Sequence, residues 1–191
     1  MFFFGGGWAG GTPKQFFQQS KYFAEQGMVA IAADYRVRSR HKTSPLDAVE
    51  DGKSAIRWIR SHAKELGIDP QRIVAAGGSA GGHIAACTDM VVGLDEDTED
   101  KSISSRPNAL ILFNPVLDTT TIEKRFENEE QAKTISPIHH VRSGLAPTLI
   151  FHGTKDKAVP FELAEKFDAL MKESGNSCVL KTYKGRDQSF F

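Results

Sequence analysis

No stretch of this chain approaches the roughly 18 consecutive apolar positions that a membrane-spanning helix needs, so no membrane span is expected. The opening MFFFGGGWAGG has no basic segment followed by a long apolar core, so it does not read as a signal peptide and the cytoplasm is the default location. An excess of either charge is missing too, because 24 Lys and Arg are matched by 24 Asp and Glu. Without a long-range field to draw it to nucleic acid or an anionic membrane, the chain is better suited to a small neutral partner. Cysteine is scarce: Cys87 and Cys178 sit in apolar surroundings at no metal-ligand spacing. They read as buried free thiols, no metal site is expected, and they do not fix the redox compartment. Internal repeats and low-complexity tracts are also lacking.

What is present is 191 residues, 40% hydrophobic and 25% charged, enough for one domain with a sizeable core and too few for two. Apolar runs at 28–33, 72–76, 109–113, 148–151 and 178–183 read as strands covered on both faces, and Met1 to Phe4 as the end of another. Thr12-Pro13-Lys14-Gln15 has the form of a capping box with proline at the first helical position, and Gly27 closes that helix. Ser44-Pro45-Leu46-Asp47 repeats the signal less strictly; Leu46, Val49, Ile56, Ile59, Ala63 and Leu66 then form one apolar stripe that ends at Gly67. This alternation predicts an α/β domain over 1–191: an open, mostly parallel sheet with helices on both faces and right-handed crossovers. Active sites of such sheets lie beyond the carboxyl ends of the strands.

Two segments interrupt the pattern. The acidic, polar stretch 93–107 reads as a solvated loop and lacks the glycine and ligand spacing of a calcium loop. Residues 115–144, with charged helical residues followed by SPIHH, read as a lid or insertion over the site. Both ends are abrupt, an apolar strand at the start and Ser189-Phe190-Phe191 at the finish, and truncation of both is expected.

The chemistry concentrates in RIVAAGGSAGGHIAAC, where a strand runs into Gly77-Gly78-Ser79-Ala80-Gly81 and then into helix formers. That is G-x-S-x-G in the strand-turn-helix context the motif requires. A serine at such a turn must adopt strained backbone angles, and Gly77 and Gly81 let strand and helix pass closely. The hydroxyl of Ser79 then stands above the sheet, with the Ala80 amide and the helix N-terminus aimed at any oxyanion that forms beside it. A phosphate-binding loop fits less well: no lysine follows, and Gly78 and Gly82 do not match the dinucleotide fingerprint, so no cofactor is expected. Gly5, Gly6 and Gly7, directly after an apolar strand, offer backbone amides that a carbonyl oxygen can approach unobstructed.

The glycine loop with its tryptophan, Asp34-Tyr35-Arg36, GGSAGGH and FHGTKDKAVPF, in this order, resemble the α/β-hydrolase fold, specifically the hormone-sensitive-lipase-like and acetyl-esterase group of carboxylesterases. The resemblance covers nearly the whole chain, while family members also have strands before the glycine loop and a helix after the last strand. It implies that Ser79 is the nucleophile, that Asp156 in HG-x-x-D-x-x-V-P is the acid, and that the amides of Gly6, Gly7 and Ala80 form the oxyanion hole. Phe4 stands where the family loop usually begins with histidine, a change of little weight because the donors are backbone amides.

The base departs from the family. The pattern G-x-x-H-x-F-F aligns its histidine with Gln188, and His41, His62, His83, His139, His140 and His152 all precede Asp156, against the chain order serine, acid, histidine. An amide has no basic nitrogen near neutral pH, so Gln188 can hydrogen-bond to Ser79 but cannot accept its proton. His83, four residues beyond Ser79 on the same helix, and Asp118, after the strand ending near Asn114, are the rival base and acid. The expected function is hydrolysis of short-chain, acetyl-type esters through an acyl-enzyme, impaired by Gln188, with a small-molecule ester as partner. The alternative is a catalytically inactive member of the fold that binds a ligand without turning it over.

Overall fold

The computed structural model describes residues 1–188. Ser189, Phe190 and Phe191, on which the expectation of a truncated end rested, lie outside the described residues, as does the side chain of Glu123. The strands are β1 (Phe2–Phe3), β2 (Ala32–Ala33), β3 (Val74–Gly78), β4 (Ala109–Phe113), β5 (Thr148–Gly153) and β6 (Cys178–Tyr183). They form one sheet in the order β2-β1-β3-β4-β5-β6, with every neighbouring pair parallel. The helices are α1 (Phe17–Glu25), α2 (Arg38–His41), α3 (Pro45–Ser61), α4 (Ala63–Leu66), α5 (Ala80–Met90), α6 (Glu129–Thr134) and α7 (Phe161–Glu173). Short 3-10 segments occupy Pro13–Phe16, Thr119–Arg125 and Pro137–His140.

Alternation along β1 shows how helices cover both faces. Phe2 stacks on Phe16 at 5.1 Å and meets Phe23 of α1 at 5.9 Å. Phe3, pointing the other way as strand geometry demands, packs toward Gly52 of α3. The first helix at the carboxyl end of a central strand, α5, is buried at all eleven positions, and its contacts reach α3, β1, β3 and β4. Among the described residues, no helix is long and apolar enough to cross a membrane, and no group of three or more His, Cys, Asp or Glu is placed to hold a metal ion. Cys87 and Cys178 are buried and free.

The structure revises several local expectations. Of the run 28–33, only Ala32–Ala33 pairs, because β2 is an edge strand whose one neighbour, β1, offers two residues; Met28 and Val29 are 46% and 47% exposed. The other edge, β6, likewise leaves Val179 and Tyr183 open rather than covered on both faces. Pro13 does open a helical segment, but Thr12 makes no side-chain cap bond. The stricter-looking box is thus the one that fails: Gln15 Oε1 turns away to accept from the Gly5 amide. At the second start, Ser44 N and Oγ both donate to Asp47 Oδ2, at 2.8 and 2.6 Å. The stripe of α3 breaks at His62 and resumes in α4, which Gly67 ends in a left-handed turn. The 93–107 loop is anchored rather than simply solvated: Asp95 pairs with the buried Lys53 and Arg57, and Glu99 with Arg57. Two cations that α3 carries inward would otherwise stand unpaired.

His83 is the imidazole at the centre of α5. It is fully buried, donates from Nε2 to the Ile135 carbonyl at 2.6 Å and lies perpendicular to Trp8 at 4.9 Å. Burial pushes its pKa from 6.5 down to about 4.

Two outcomes test this packing. A Cβ at Gly52 would sit 2.4 Å from Cγ2 of the buried Ile84. Overpacking of about 1–3 kcal/mol should exceed the ~1 kcal/mol that alanine gains in helix propensity, so urea midpoints should be lower for Gly52→Ala than for the parent. For His83 the unfolded chain, titrating near 6.5, takes the proton before the folded one at about 4. Its stabilising contribution is therefore complete above the unfolded value and is lost as pH falls through 4, by about 3 kcal/mol in total. Urea titrations at several pH values across this window should show a shallower acid-side loss in His83→Phe than in the parent.

Candidate active site

β3 ends at Gly78 and α5 begins at Ala80, so Ser79 alone makes the turn, at φ 53° and ψ −116°. Such angles are disfavoured for a residue with a side chain and persist only where neighbours enforce them. Here Ser79 N donates to the Phe113 carbonyl at 2.9 Å, and its own carbonyl accepts from His83 N and Val116 N at 3.0 and 3.2 Å. Space forbids any other pair of flanking residues: a Cβ at Gly81 would lie 2.1 Å from the Phe3 oxygen, and one at Gly77 2.4 Å from Gly81. Neither position has room for a side chain.

The glycine loop leaves the end of β1, which is paired directly with β3. Tyr35 holds its root, donating to the Phe4 carbonyl at 2.7 Å and stacking on the Phe4 ring at 4.1 Å. The rest of the Asp34-Tyr35-Arg36 motif is structural: Asp34 pairs with Arg40, and Arg36 with Asp47, Glu50 and Asp51. Beyond Gly5, whose amide Gln15 takes at 2.5 Å, the backbone turns through positive φ at Gly6, Gly7 and Trp8. Among the described residues, the amides of Gly6, Gly7 and Ala80 donate to no protein acceptor. Three free donors beside one hydroxyl suit a developing negative oxygen.

Asp156 has a fully buried side chain. Its Oδ1 accepts from the amides of Ala158 and Val159 at 2.8 and 2.9 Å, and its Oδ2 from Asn114 Nδ2 at 2.9 Å. The same Asn114 nitrogen donates to the Asp187 carbonyl at 3.3 Å, which ties the acid's loop to the segment carrying Gln188. That segment is docked on the end of β5, with Gly185 N on Thr154 Oγ1 and Lys155 N on the Arg186 carbonyl, both at 2.9 Å. Gln188 Nε2 donates to Ser79 Oγ at 3.0 Å. This hydrogen bond brings Gln188 against the hydroxyl of Ser79. The cleft above encloses about 530 Å³, and its lining includes Gly6, Gly7, Ser79, Gln188 and, from the 119–125 segment, Ile122 and Arg125.

None of the six histidines approaches Ser79 as a base. His83 is committed to Ile135 beneath the turn, and burial holds it neutral. His152 donates to the Val159 carbonyl at 3.0 Å, lies 3.5 Å from Asp156, and is kept neutral chiefly by burial. His139 bonds Ser136 and His140 the Lys133 carbonyl, while His41 bonds the Val37 amide and His62 stacks on Trp58. Asp118, the rival acid, is turned to Thr120 and Ser136 as a cap for the 119–125 segment.

Three contributors carry no motif that points to this site in the sequence. Asn114 joins the acid to the Gln188 segment, Gln15 holds the glycine loop, and Arg125 donates to the Gly7 carbonyl at 2.7 Å with its guanidinium 6.0 Å over Trp8. Only Asn114 leaves a trace, as an asparagine at a strand end before Pro115 that takes φ 42°, a region asparagine tolerates. Of the five non-glycine residues at positive φ among the described residues, Trp8, Ser79 and Asn114 all border this site, so backbone strain collects where the geometry is most constrained.

Comparison with known proteins places the chain in a family. The family model BD-FAE matches residues 1–124 and 114–171. A structure of Thermogutta terrifontis esterase 2, phosphorylated by paraoxon, is 56% identical, superposes with a TM-score of 0.95, and is matched over 100% of this chain and 72% of that one. A propionate-bound structure of the esterase Est2 from Thermogutta terrifontis is 53% identical with a TM-score of 0.93, over 99% and 72% of the two chains. The esterase LipC of Mycobacterium tuberculosis is 30% identical over 187 residues, 85% of this chain; the chain spans 45% of that protein, less than half its length. The chain belongs to the BD-FAE family and is a member of the α/β-hydrolase-fold carboxylesterases.

Proposed function

We propose that this chain is a serine carboxylesterase of short-chain acyl esters whose turnover is impaired at one position, Gln188. The observation that carries the reading is the 3.0 Å hydrogen bond from Gln188 Nε2 to Ser79 Oγ, beside a buried Asp156 and three free amides. In this mechanism Ser79 Oγ bonds to the acyl carbon, and the carbonyl oxygen takes up negative charge against the amides of Gly6, Gly7 and Ala80. Collapse breaks the ester C–O bond, expels the alcohol and leaves an acyl-Ser79, which water then hydrolyses. Each half needs a group that removes a proton from the attacking oxygen and delivers it to the leaving one.

Gln188 fills the space of that group without its chemistry. Its N–H donates to Ser79 Oγ, which orients the hydroxyl but withdraws electron density rather than accepting the proton. Asp156, the proposed acid, is held by Asn114 and two amides, so its position does not depend on an imidazole. Short acyl groups are supported by the propionate-bound Thermogutta terrifontis esterase and by the modest size of the cleft. Residues 115–144, from which Ile122 and Arg125 reach the cleft, act as its lid.

A second reading, a ligand-binding member of the fold without turnover, draws on the same Gln188 bond. Hydrolysis of p-nitrophenyl acetate separates the two. Gln188→His should raise the rate by roughly 10²–10⁴-fold, and Ser79→Ala in that background should abolish the gain. A folded Gln188→His protein no faster than its Ser79→Ala counterpart would exclude the esterase reading and leave the binding one.

A further inference from the structure

The whole-chain charge balance says nothing about the cleft, and the cleft is not neutral. Among the described residues that line it, the charged ones are Arg38 and Arg125, with no Asp or Glu beside them. Neither guanidinium has a described carboxylate within 4.0 Å, whereas Arg36, Arg40, Arg57 and Arg106 all do. Asp156 offers no compensation at the cleft surface, because its side chain is buried and its oxygens are engaged by Asn114 and two amides.

Arg125 is also held in place. Its Nη1 donates to the Gly7 carbonyl at 2.7 Å, and its guanidinium lies 6.0 Å over the Trp8 ring. One planar cation is thus fixed beside the amide that would receive the carbonyl oxygen, with donors left over for a second acceptor. Arg38 also lines the cleft, and its own backbone amide bonds the Trp8 carbonyl at 2.9 Å. Arginine is the side chain best suited to a carboxylate, which it can take in a two-point contact.

We propose that the cleft selects esters bearing a carboxylate outside the scissile bond, recognised by Arg125 and Arg38. This rests on the ester-hydrolase reading of the same cleft. It replaces the neutral substrate that net charge alone favours with an anionic one, on either the acyl or the alcohol side of the ester.

The test reads binding, so it does not depend on turnover. The chain has two tryptophans, and in Ser79→Ala with Trp58→Phe the fluorescence of Trp8 in the cleft wall reports occupancy. Titration with monoethyl succinate, acetoxyacetate and the uncharged ethyl butyrate compares charge on the acyl side, charge on the alcohol side and none. At least one anionic ester should bind about tenfold tighter than ethyl butyrate, a preference that weakens as salt is raised. Arg38→Gln with Arg125→Gln should erase it, and Arg125→Lys should retain part of it. Equal affinity for all three, no binding of any, or a preference that survives in the double glutamine variant overturns the proposal. Charge-blind binding by a protein whose Gln188→His form hydrolyses p-nitrophenyl acetate would defeat this inference alone and leave the esterase reading standing.

Discussion

The rest of the site depends on how closely the end of β1 passes beneath the start of α5. The carbonyls of Phe3 and Phe4 approach Gly81 so nearly that a single methyl group there would overlap both. That approach places the glycine loop, which continues β1, beside the turn that ends β3. It also forces Ser79 into positive φ, because the chain must reverse from strand to helix in one residue. Strain of this kind costs on the order of 1–3 kcal/mol, and the surrounding core must hold it. The holding groups are specific: Phe113, His83 and Val116 fix the backbone of Ser79, while α5 is buried on every side. A buried helix cannot shift to relieve the turn without opening cavities against β1, β3, β4 and α3.

The electrostatics of the site combine a buried carboxyl group, a set of free amides and a cationic lining. Asp156 receives three hydrogen bonds from Asn114, Ala158 and Val159, so this buried carboxylate is solvated by the protein itself. The three free amides and the helix N-terminus form a fixed positive field around Ser79. Neither feature requires a histidine, and both are intact. Gln188 is satisfied as a hydrogen-bond partner of Ser79, and its amide carries no basic nitrogen near neutral pH. Arg38 and Arg125 add a cationic lining that is anchored on the glycine loop at Trp8 and Gly7.

Much was determined by the sequence by itself. The apolar runs at 109–113 and 178–183 coincide with β4 and β6, G-x-S-x-G marks the strand-turn-helix at Ser79, and no histidine stands between Asp156 and Phe191. These are features of neighbouring residues, where periodicity and the steric demands of a turn act directly on the chain. Where tertiary contacts compete with a local signal, the signal loses. Gln15 leaves its capping box for the amide of Gly5, the 28–33 run pairs over two residues because its only neighbour is that short, and the acidic 93–107 loop is drawn to cations buried on α3. Only the tertiary structure decided that Asn114 would link Asp156 to the segment of Gln188, that Gln188 would donate to Ser79 across 109 positions of sequence, and that Arg125 would settle on Gly7. The physical reason is the parallel sheet: helical crossovers bring the carboxyl ends of distant strands to one edge, and the side chains that meet there are chosen by strand order and packing rather than by distance along the chain.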